Sequence, residues 1–303
     1  MSKKIIAVVG GTGAQGGGIV KELLARGQFS VRVLTRNPNS DKAEALATQG
    51  CEIVEGDLNK PETLESAFKD AYGTFLVTNF WDPFTGANEY EQAKAAVKVA
   101  KAAGVQHLVW STLPNSQEIS SGKYEVVHFT NKALVDTEVE AADFPYYTFV
   151  EAPMYYQNFL TMMAPQPQED GSKAWTVPMD PSKKCIHNGD ISEFGKLVAQ
   201  VFEQPDKVGK GQHLAMTPGV MSWQEMVDTL NSQGHNIKVN QVPNEVFDSF
   251  PFPGAQELRE MMNYFEDYTY FGPDADEKIA LAKELCPDGF TTFAKWAKEN
   301  MNP

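Results

Sequence analysis

A glycine-rich loop between a buried strand and a helix constrains the fold of this chain more than any other feature. The short β-branched run Ile5–Val9 ends at Gly10, and Ala14–Arg26 carries apolar residues at helical spacing. Gly10, Gly13 and Gly16 have the spacing G-x-x-G-x-x-G. In such a turn the first glycine permits the reversal, the second admits a pyrophosphate, and the third lets the helix pack closely on the sheet. The helix N-terminus then offers free N–H groups to an anion, so the loop predicts a dinucleotide-phosphate site.

Strands and helices alternate along the whole first half of the chain, with short links between them. The further predicted strands are Val31–Thr35, Glu52–Glu55, Thr74–Thr78, Gln106–Ser111 and Tyr146–Glu151, and the further predicted helices are Asp41–Thr48, one opening at Pro61, Asn88–Ala103 and Glu125–Ala141. This alternation predicts an α/β fold of the Rossmann type, a doubly wound parallel sheet with helices on both faces.

The alternation is lost after Pro153, where prolines and glycines interrupt the chain. The helical patterns that return are Asp190–Phe202, Ser222–Leu230, Ala255–Tyr264 and Phe290–Asn300, and the short strands predicted beside them are His213–Met216 and Ile237–Val242. We therefore expect a nucleotide-binding domain over residues 1–153. Residues 154–303 are expected to form a smaller mixed α/β segment that caps the cleft and does not fold independently.

Charge and cysteine content exclude several classes of function. The chain has 26 basic and 40 acidic residues, a net charge of −14, which argues against direct contact with nucleic acid. No segment approaches the roughly 20 apolar residues of a membrane helix. Three widely spaced cysteines and five histidines without ligand spacing predict neither disulfides nor a metal site. We expect a cytoplasmic protein, with entry into the nucleus left open.

The residue after the second strand distinguishes the two nicotinamide cofactors. NAD sites usually place a carboxylate there for the ribose hydroxyls, whereas this chain has Arg36. A guanidinium can form paired charge-assisted bonds with a 2′-phosphate, so the sequence favours NADP(H) over NAD(H). The alternative is a solvated surface arginine.

Two further strand ends are expected to face the same crevice, because ligands lie at the carboxyl ends of parallel strands. Asp57 and Leu58 follow the third strand, where Asp57 could accept from the adenine amino group or serve only as a turn carboxylate. Thr78, Asn79 and Phe80 follow the fourth strand and are expected beside the ribose and nicotinamide.

Several motifs together resemble the NmrA-like family of atypical short-chain dehydrogenases/reductases. They are Val9–Gly17, Thr35–Pro38, Val77–Asn79, His128–Lys132, Pro153–Phe159 and Phe252–Ala255. The likeness is closest to the HSCARG-type branch of NADPH sensors. It implies a Rossmann domain with a small C-terminal domain, NADP(H) as cofactor, and a regulatory role in which NADPH/NADP⁺ balance is reported to a protein partner. By the same resemblance the dinucleotide would contact Gly10, Gly11, Thr12, Gly13, Ala14, Gln15, Gly16, Arg36, Thr78, Asn79, Phe80, Lys132, Tyr155, Tyr156, Gln157 and Asn158.

One position departs from the pattern of a working short-chain reductase. Such an enzyme needs a Ser or Thr and a Tyr-x-x-x-Lys, in which the Tyr protonates the carbonyl. Lys132 fits the lysine and Ser111 ends the fifth strand, but His128 stands where the Tyr belongs and Tyr124 lies one turn earlier. The sequence favours a sensor with weak or no hydride transfer. The alternatives are a reductase of a small carbonyl, quinone or enone that uses Lys132 or His128, and a His128 that only packs. Substrate, partner and the choice between monomer and homodimer stay open.

Overall fold

A seven-stranded parallel sheet lies at the centre of the structure, a computed structural model that describes residues 2–82 and 88–302. Its strand order is β11-β6-β5-β4-β1-β2-β3. The strands along the chain are β1 Ile5–Val9, β2 Ser30–Thr35, β3 Glu52–Glu55, β4 Ala71–Leu76, β5 His107–Thr112, β6 Tyr146–Glu151, β7 Met154–Tyr155, β8 Gln166–Pro167, β9 Lys173–Val177, β10 Ile186–Gly189, β11 Lys210–Ala215, β12 Gly219–Met221 and β13 Ile237–Gln241. The predicted Rossmann-type α/β fold is confirmed.

Helices cover both faces of this sheet. The α-helices are α1 Ala14–Arg26, α2 Asp41–Thr48, α3 Leu64–Phe68, α4 Glu89–Ala102, α5 Ser116–Ile119, α6 Val127–Ala141, α7 Phe194–Glu203, α8 Pro205–Val208, α9 Trp223–Ser232, α10 Asn244–Asp248, α11 Ala255–Tyr268, α12 Ala275–Leu285 and α13 Phe293–Asn300. Short 3-10 helices cover Pro61–Thr63, Tyr156–Leu160 and Ile191–Glu193. One apolar cluster joins α1, α7 and α12 to the sheet, and another joins α3, α4 and α6 to it.

Glycines allow α1 and α7 to cross at very short range. A Cβ at Gly195 of α7 would lie 2.1 Å from the carbonyl oxygen of Gly18, and one at Gly18 would lie 2.7 Å from that of Ser192. The backbones of the two helices are so close here that neither Gly18 nor Gly195 has room for a side chain. The crossing holds the second half of the chain against the helix that follows the glycine loop.

The second half of the chain also completes the central sheet. β11 pairs in parallel with β6, and two small three-stranded sheets, β12-β10-β7 and β13-β9-β8, lie beyond it. A third apolar cluster, which includes Trp175, Trp223 and Trp296, fills the space between the small sheets and α9, α11 and α13. The predicted boundary at residue 153, between a nucleotide-binding domain and a smaller C-terminal segment, remains a prediction.

The fourth strand differs from its predicted bounds in a way that matters for the cleft. The sequence predicts Thr74–Thr78, but β4 covers Ala71–Leu76, because Ala71 pairs with Ile5 and Gly73 with Ile6 of β1. Thr78 therefore lies two residues beyond the strand. There its hydroxyl faces α4 and α6 instead of belonging to the sheet.

Three further expectations concern membranes, metals and thiols. No described helix combines the length and apolar character needed to cross a membrane. In residues 2–82 and 88–302 no group of acidic, histidine or cysteine side chains could hold a metal ion. Cys51, Cys185 and Cys286 are free and buried, and burial raises the pKa of each thiol, to about 12 for Cys185 and about 11 for Cys286.

Candidate active site

A cavity of about 530 Å³ opens at the carboxyl edge of the central sheet, above β1, β2, β3 and β4. This is where the crossover connections of a doubly wound fold leave a crevice. The residues predicted from sequence that line it are Gly10, Thr12, Gly13, Ala14, Gln15, Gly16, Arg36, Asp57, Leu58, Thr78, Asn79 and Tyr155. Side chains that are far apart along the chain are thus brought to one cavity.

The glycine loop forms a cradle in which side chains do not fit. Gly10 has φ of +68°, a left-handed conformation that glycine adopts at little cost, and its carbonyl oxygen accepts from the Gly13 N–H at 2.8 Å. A Cβ at Gly16 would lie 2.3 Å from that same oxygen. The N-cap residue of α1 is Gly13, which has no side chain to cap the helix N-terminus. The loop and helix end therefore fit the pyrophosphate of a dinucleotide.

Gly11 belongs to the loop but not to the cavity lining. It is buried, and a Cβ there would lie 2.7 Å from the Val33 side chain of β2 and 3.3 Å from that of Val20. Its small size serves the packing of the turn on the sheet, and its contact with a cofactor stays a prediction.

Arg36 lies at the end of β2 on the rim of the cavity. Its side chain is 61% exposed and its Nη1 forms an ion pair of 2.8 Å with Asp82, whose side chain is 9% exposed. Both residues line the cavity. The guanidinium is therefore available to a phosphate, in competition with a carboxylate that already contacts it.

Asp57 lines the cavity while serving as a turn carboxylate. Its Oδ1 accepts from the backbone N–H of Asn59 at 3.0 Å and from the Asn59 amide at 2.9 Å. Its own N–H donates to Thr63 Oγ1 at 2.9 Å. The two roles considered for Asp57 are thus compatible in position.

A second cavity of about 210 Å³ adjoins the first, and Gln15, Thr78, Asn79 and Tyr155 line both. Gln15 bridges the two walls, since its Oε1 accepts from Ser111 Oγ at 2.8 Å and its Nε2 donates to Tyr155 Oη at 2.7 Å. Burial raises the pKa of Tyr155 above its usual value, which keeps the phenol neutral.

Lys132 lies in the second cavity, held by acceptors of the protein. Its Nζ lies 2.7 Å from Glu89 Oε1, and 3.0 Å from both the carbonyl oxygen and Oγ1 of Thr78. Thr78 Oγ1 in turn donates to Glu89 Oε1 at 2.7 Å. Glu89, which was not predicted from the sequence, occupies the first turn of α4 and is fully buried. A carboxylate near the start of a long helix is common on a surface, so the sequence carried little signal of its burial.

His128 lies in the same cavity with a carboxylate bound to its ring. Its Nδ1 lies 2.5 Å from Glu257 Oε1, and its backbone N–H donates to the same oxygen at 3.0 Å. The rings of Phe80 and Trp81 lie 5.5 and 5.3 Å from the imidazole, between centroids. Glu257 was also missed, since it lies in α11, 129 residues away along the chain.

Tyr156 and Gln157 line neither cavity, and their contact with the dinucleotide stays a prediction. After β7 the chain enters the 3-10 helix Tyr156–Leu160, which directs both side chains away from the cleft. Tyr156 is fully buried against the rings of Phe293 and Trp296. Gln157 Nε2 donates to Asp190 at 2.6 Å. Asn158, one residue further, does line the second cavity.

Tyr124 takes no part in the site. Its hydroxyl donates to Asp267 at 2.7 Å, and it lines neither cavity. His128 and Lys132 therefore remain on the cavity side of α6 without a tyrosine from the same helix.

The model of the NmrA-like family matches residues 2–297 of the chain. An NmrA-like family domain-containing protein of Dictyostelium discoideum is 30% identical over 280 residues, which cover 89% of this chain and 90% of that protein. An NmrA-like family domain-containing oxidoreductase of Aspergillus flavus is 30% identical over 302 residues, which cover 93% and 90%.

Solved structures share the fold over almost the whole chain. NmrA, a negative transcriptional regulator solved in complexes with NAD and with NADP, superposes with TM-scores of 0.83 and 0.82 at 23% identity, covering 99% of this chain and 96% of that one. An NADPH-dependent quinone oxidoreductase of Escherichia coli, solved with NADPH, superposes with a TM-score of 0.79 at 18% identity, covering 98% and 100%.

Proposed function

Because the chain belongs to the NmrA-like family, we propose that it binds NADP(H) in the larger cavity and reduces a small apolar carbonyl compound in the adjoining one. The observation that carries this proposal is the second cavity itself. It shares a wall with the first and brings Lys132 and the carboxylate-bound His128 together among apolar side chains.

The choice of NADP(H) rests on the charge at the end of β2. Arg36 and Asn37 follow the last strand residue, Thr35, so no carboxylate directly follows β2 to oppose a 2′-phosphate, while the exposed guanidinium can bind one. NmrA binds NAD and NADP, and the quinone oxidoreductase binds NADPH. Both facts support a dinucleotide in this cavity, and Arg36 supports the phosphorylated form.

A second candidate is a sensor that reports the NADPH/NADP⁺ balance to a protein partner. It is favoured by His128 standing where a short-chain reductase has tyrosine, and by the engagement of the Lys132 ammonium with Glu89 and Thr78. The fold neighbour NmrA is a transcriptional regulator. A location in the cytoplasm, with access to the nucleus, suits either candidate.

The first experiment is titration calorimetry of the purified protein with NADPH, NADP⁺ and NADH. We expect NADPH and NADP⁺ to bind more tightly than NADH because of the 2′-phosphate. A preference for NADH, or no binding of any of the three, would overturn the proposed cofactor.

The second experiment separates the two candidate functions. NADPH oxidation is followed with quinones, aldehydes and enones for the wild-type protein, for Lys132→Ala and for Lys98→Ala, an exposed lysine of α4 that serves as control. Turnover that survives in the control and is lost in Lys132→Ala supports the reductase. An inactive wild-type protein that captures a partner only with one redox form of the nucleotide supports the sensor.

A further inference from the structure

We propose that His128 is the proton donor of this site and that Glu257 positions it. The inference rests on the proposed reductase function. It assigns a role to a carboxylate of α11, so the active site would draw on the C-terminal segment as well as on the nucleotide-binding sheet.

Two hydrogen bonds to one oxygen fix the Glu257 carboxylate against His128. Oε1 lies 2.5 Å from the ring Nδ1 and accepts from the His128 N–H at 3.0 Å. The two side chains are 10% and 16% exposed. A carboxylate that accepts from Nδ1–H orients the imidazole, as in the catalytic triads of hydrolases. The imidazolium then keeps an Nε2–H that it can donate.

The structure leaves that second nitrogen for a substrate. Among residues 2–82 and 88–302, Nε2 of His128 has no hydrogen-bond partner, and His128 lines the second cavity. Lys132 differs, because its ammonium already contacts three acceptors of the protein. A proton leaving Lys132 would also leave the buried Glu89 carboxylate without its cation. His128 is therefore the better placed acid.

The start of α11 is held in position by a close contact. Its N-cap residue Gly254 has φ of +88°, and a Cβ there would lie 2.8 Å from the Trp81 ring. Trp81 also packs on His128. Glu257 lies in the first turn of α11. The glycine thus lets the loop after β4 and the helix that carries Glu257 meet at His128.

The lining of the cavity indicates a flat, uncharged substrate. Apart from Lys132 and His128, its described side chains are polar but uncharged, such as Ser111, or apolar, and the apolar ones include Phe80, Trp81, Met154, Met162, Met163 and Met261. Methionines and aromatic rings adapt to planar apolar molecules. The cavity has a volume of about 210 Å³, so a substrate that shares it with the nicotinamide end of the dinucleotide must be small.

The proposed step balances as a two-electron reduction. Bound NADPH supplies a hydride to the electrophilic carbon and is oxidised to NADP⁺. As the carbonyl π bond breaks, its electron pair moves to oxygen, and Nε2 of His128 donates a proton there to give the alcohol. Glu257 retains the Nδ1–H bond throughout, and the neutral imidazole takes a proton from water after product release.

The test compares Glu257→Gln with Glu260→Gln, a control one helical turn later that lines neither cavity. Two substrates are used, benzaldehyde and benzoquinone. The alkoxide formed from an aldehyde is strongly basic and needs an acid, whereas a hydroquinone anion is stable enough to leave unprotonated. Since a general acid contributes about 10² to 10⁴ in rate, we expect Glu257→Gln to lower kcat for benzaldehyde at least about tenfold. We expect KM, NADPH affinity and benzoquinone turnover to change little.

Histidine-selective nitrogen NMR of the nucleotide-free protein gives a readout that does not depend on turnover. We expect Nδ1 of His128 to be protonated and bound to a carboxylate in the wild type and in Glu260→Gln, and to lose that signature in Glu257→Gln. This measurement on the wild type still decides the geometry if Glu257→Gln folds poorly.

The outcomes separate this inference from the proposed function. A wild type that reduces neither substrate overturns the reductase and the inference together. Four other results overturn the inference and leave the reductase standing. Two concern the wild type, in which benzoquinone alone is reduced or Nδ1 of His128 is unprotonated. Two concern Glu257→Gln, in which turnover is lost equally on both substrates or benzaldehyde turnover is unchanged.

Discussion

The ammonium of Lys132 lies 2.7 Å from the carboxylate of Glu89, and both groups are buried between α6 and α4 just beyond the end of β4. Within the described residues, Oε2 of Glu89 has no hydrogen-bond partner. The Lys132 ammonium therefore balances the charge of this carboxylate, and the Thr78 hydroxyl donates a hydrogen bond to it. Because Thr78 lines both cavities, the ion pair fixes the wall that the two cavities share.

We expect Glu89→Gln to destabilise the protein. It leaves the Lys132 ammonium buried without a counter-charge, and breaking one side of a buried pair costs about 3 kcal/mol or more. Urea unfolding followed by circular dichroism measures the change in unfolding free energy. Glu91→Gln, on the exposed face of the same helix turn, is the control and should change stability by less than about 0.5 kcal/mol. Equal stability of the two variants would show that the pair is not a significant contact.

Arg36 and Asp82 should have opposite effects on the choice of nucleotide. Arg36→Ala removes the group expected to bind the 2′-phosphate, and a charge-assisted hydrogen bond contributes about 1.5 to 3 kcal/mol, so NADPH affinity should fall about 10- to 100-fold. Asp82→Asn removes a carboxylate that contacts the same guanidinium at 2.8 Å, so NADPH should bind more tightly. NADH affinity should change little in both. Calorimetry with NADPH and NADH measures both affinities. A parallel loss of NADH binding in Arg36→Ala would contradict the assignment of Arg36 to the 2′-phosphate.

Two neighbouring glycines of the loop should respond differently to alanine. At Gly16 a methyl group would lie 2.3 Å from a backbone oxygen, so Gly16→Ala must separate the loop from α1, with loss of dinucleotide binding. At Gly17 the nearest atom would be 3.7 Å away, and alanine favours a helix interior over glycine by up to about 1 kcal/mol. Gly17→Ala should therefore bind normally and unfold at a slightly higher temperature. Calorimetry and thermal unfolding of both variants test this, and normal binding by Gly16→Ala would count against the cradle.

The sequence predicted the first half of the fold closely because its signals are local. Gly10 and Gly27 end β1 and α1 where the hydrophobic patterns stop, and the bounds Ile5–Val9 and Ala14–Arg26 agree with the structure. In the second half, strands such as Ile186–Gly189 are short and fully buried. They lack the alternation that a surface strand shows, so tertiary pairing alone defines them.

The residues of the candidate site also differ in whether the sequence could place them. Residues that follow a strand end, such as Arg36 and Thr78, could be placed from sequence because a parallel sheet gathers its carboxyl ends. Glu89 and Glu257 could not, since each reaches its partner through the packing of helices distant along the chain. Within the 3-10 helix Tyr156–Leu160, Asn158 lines the second cavity and Tyr156 and Gln157 do not, a difference that the sequence motif alone does not show.

Acid should destabilise the protein through a histidine of the sheet. Burial, assisted by the charge of Lys4, lowers the pKa of His107 from 6.5 to about 3, so the folded state keeps its imidazole neutral. Its Nε2 hydrogen-bonds Thr148 Oγ1 at 3.1 Å, and the ring packs on Phe202.

Between pH 6.5 and 3 the unfolded chain binds a proton at His107 that the folded chain does not. The neutral His107 therefore leaves the free energy of unfolding undiminished above pH 6.5. As the pH falls from 6.5 toward 3, this free energy decreases by up to about 1.4 kcal/mol per pH unit. Urea unfolding at several pH values should show a shallower decline for His107→Gln, whose amide can keep the bond to Thr148 without titrating. If the unfolding free energy of the variant and of the wild type depended equally on pH, the imidazole of His107 would have to be protonated in the folded state as readily as in the unfolded chain.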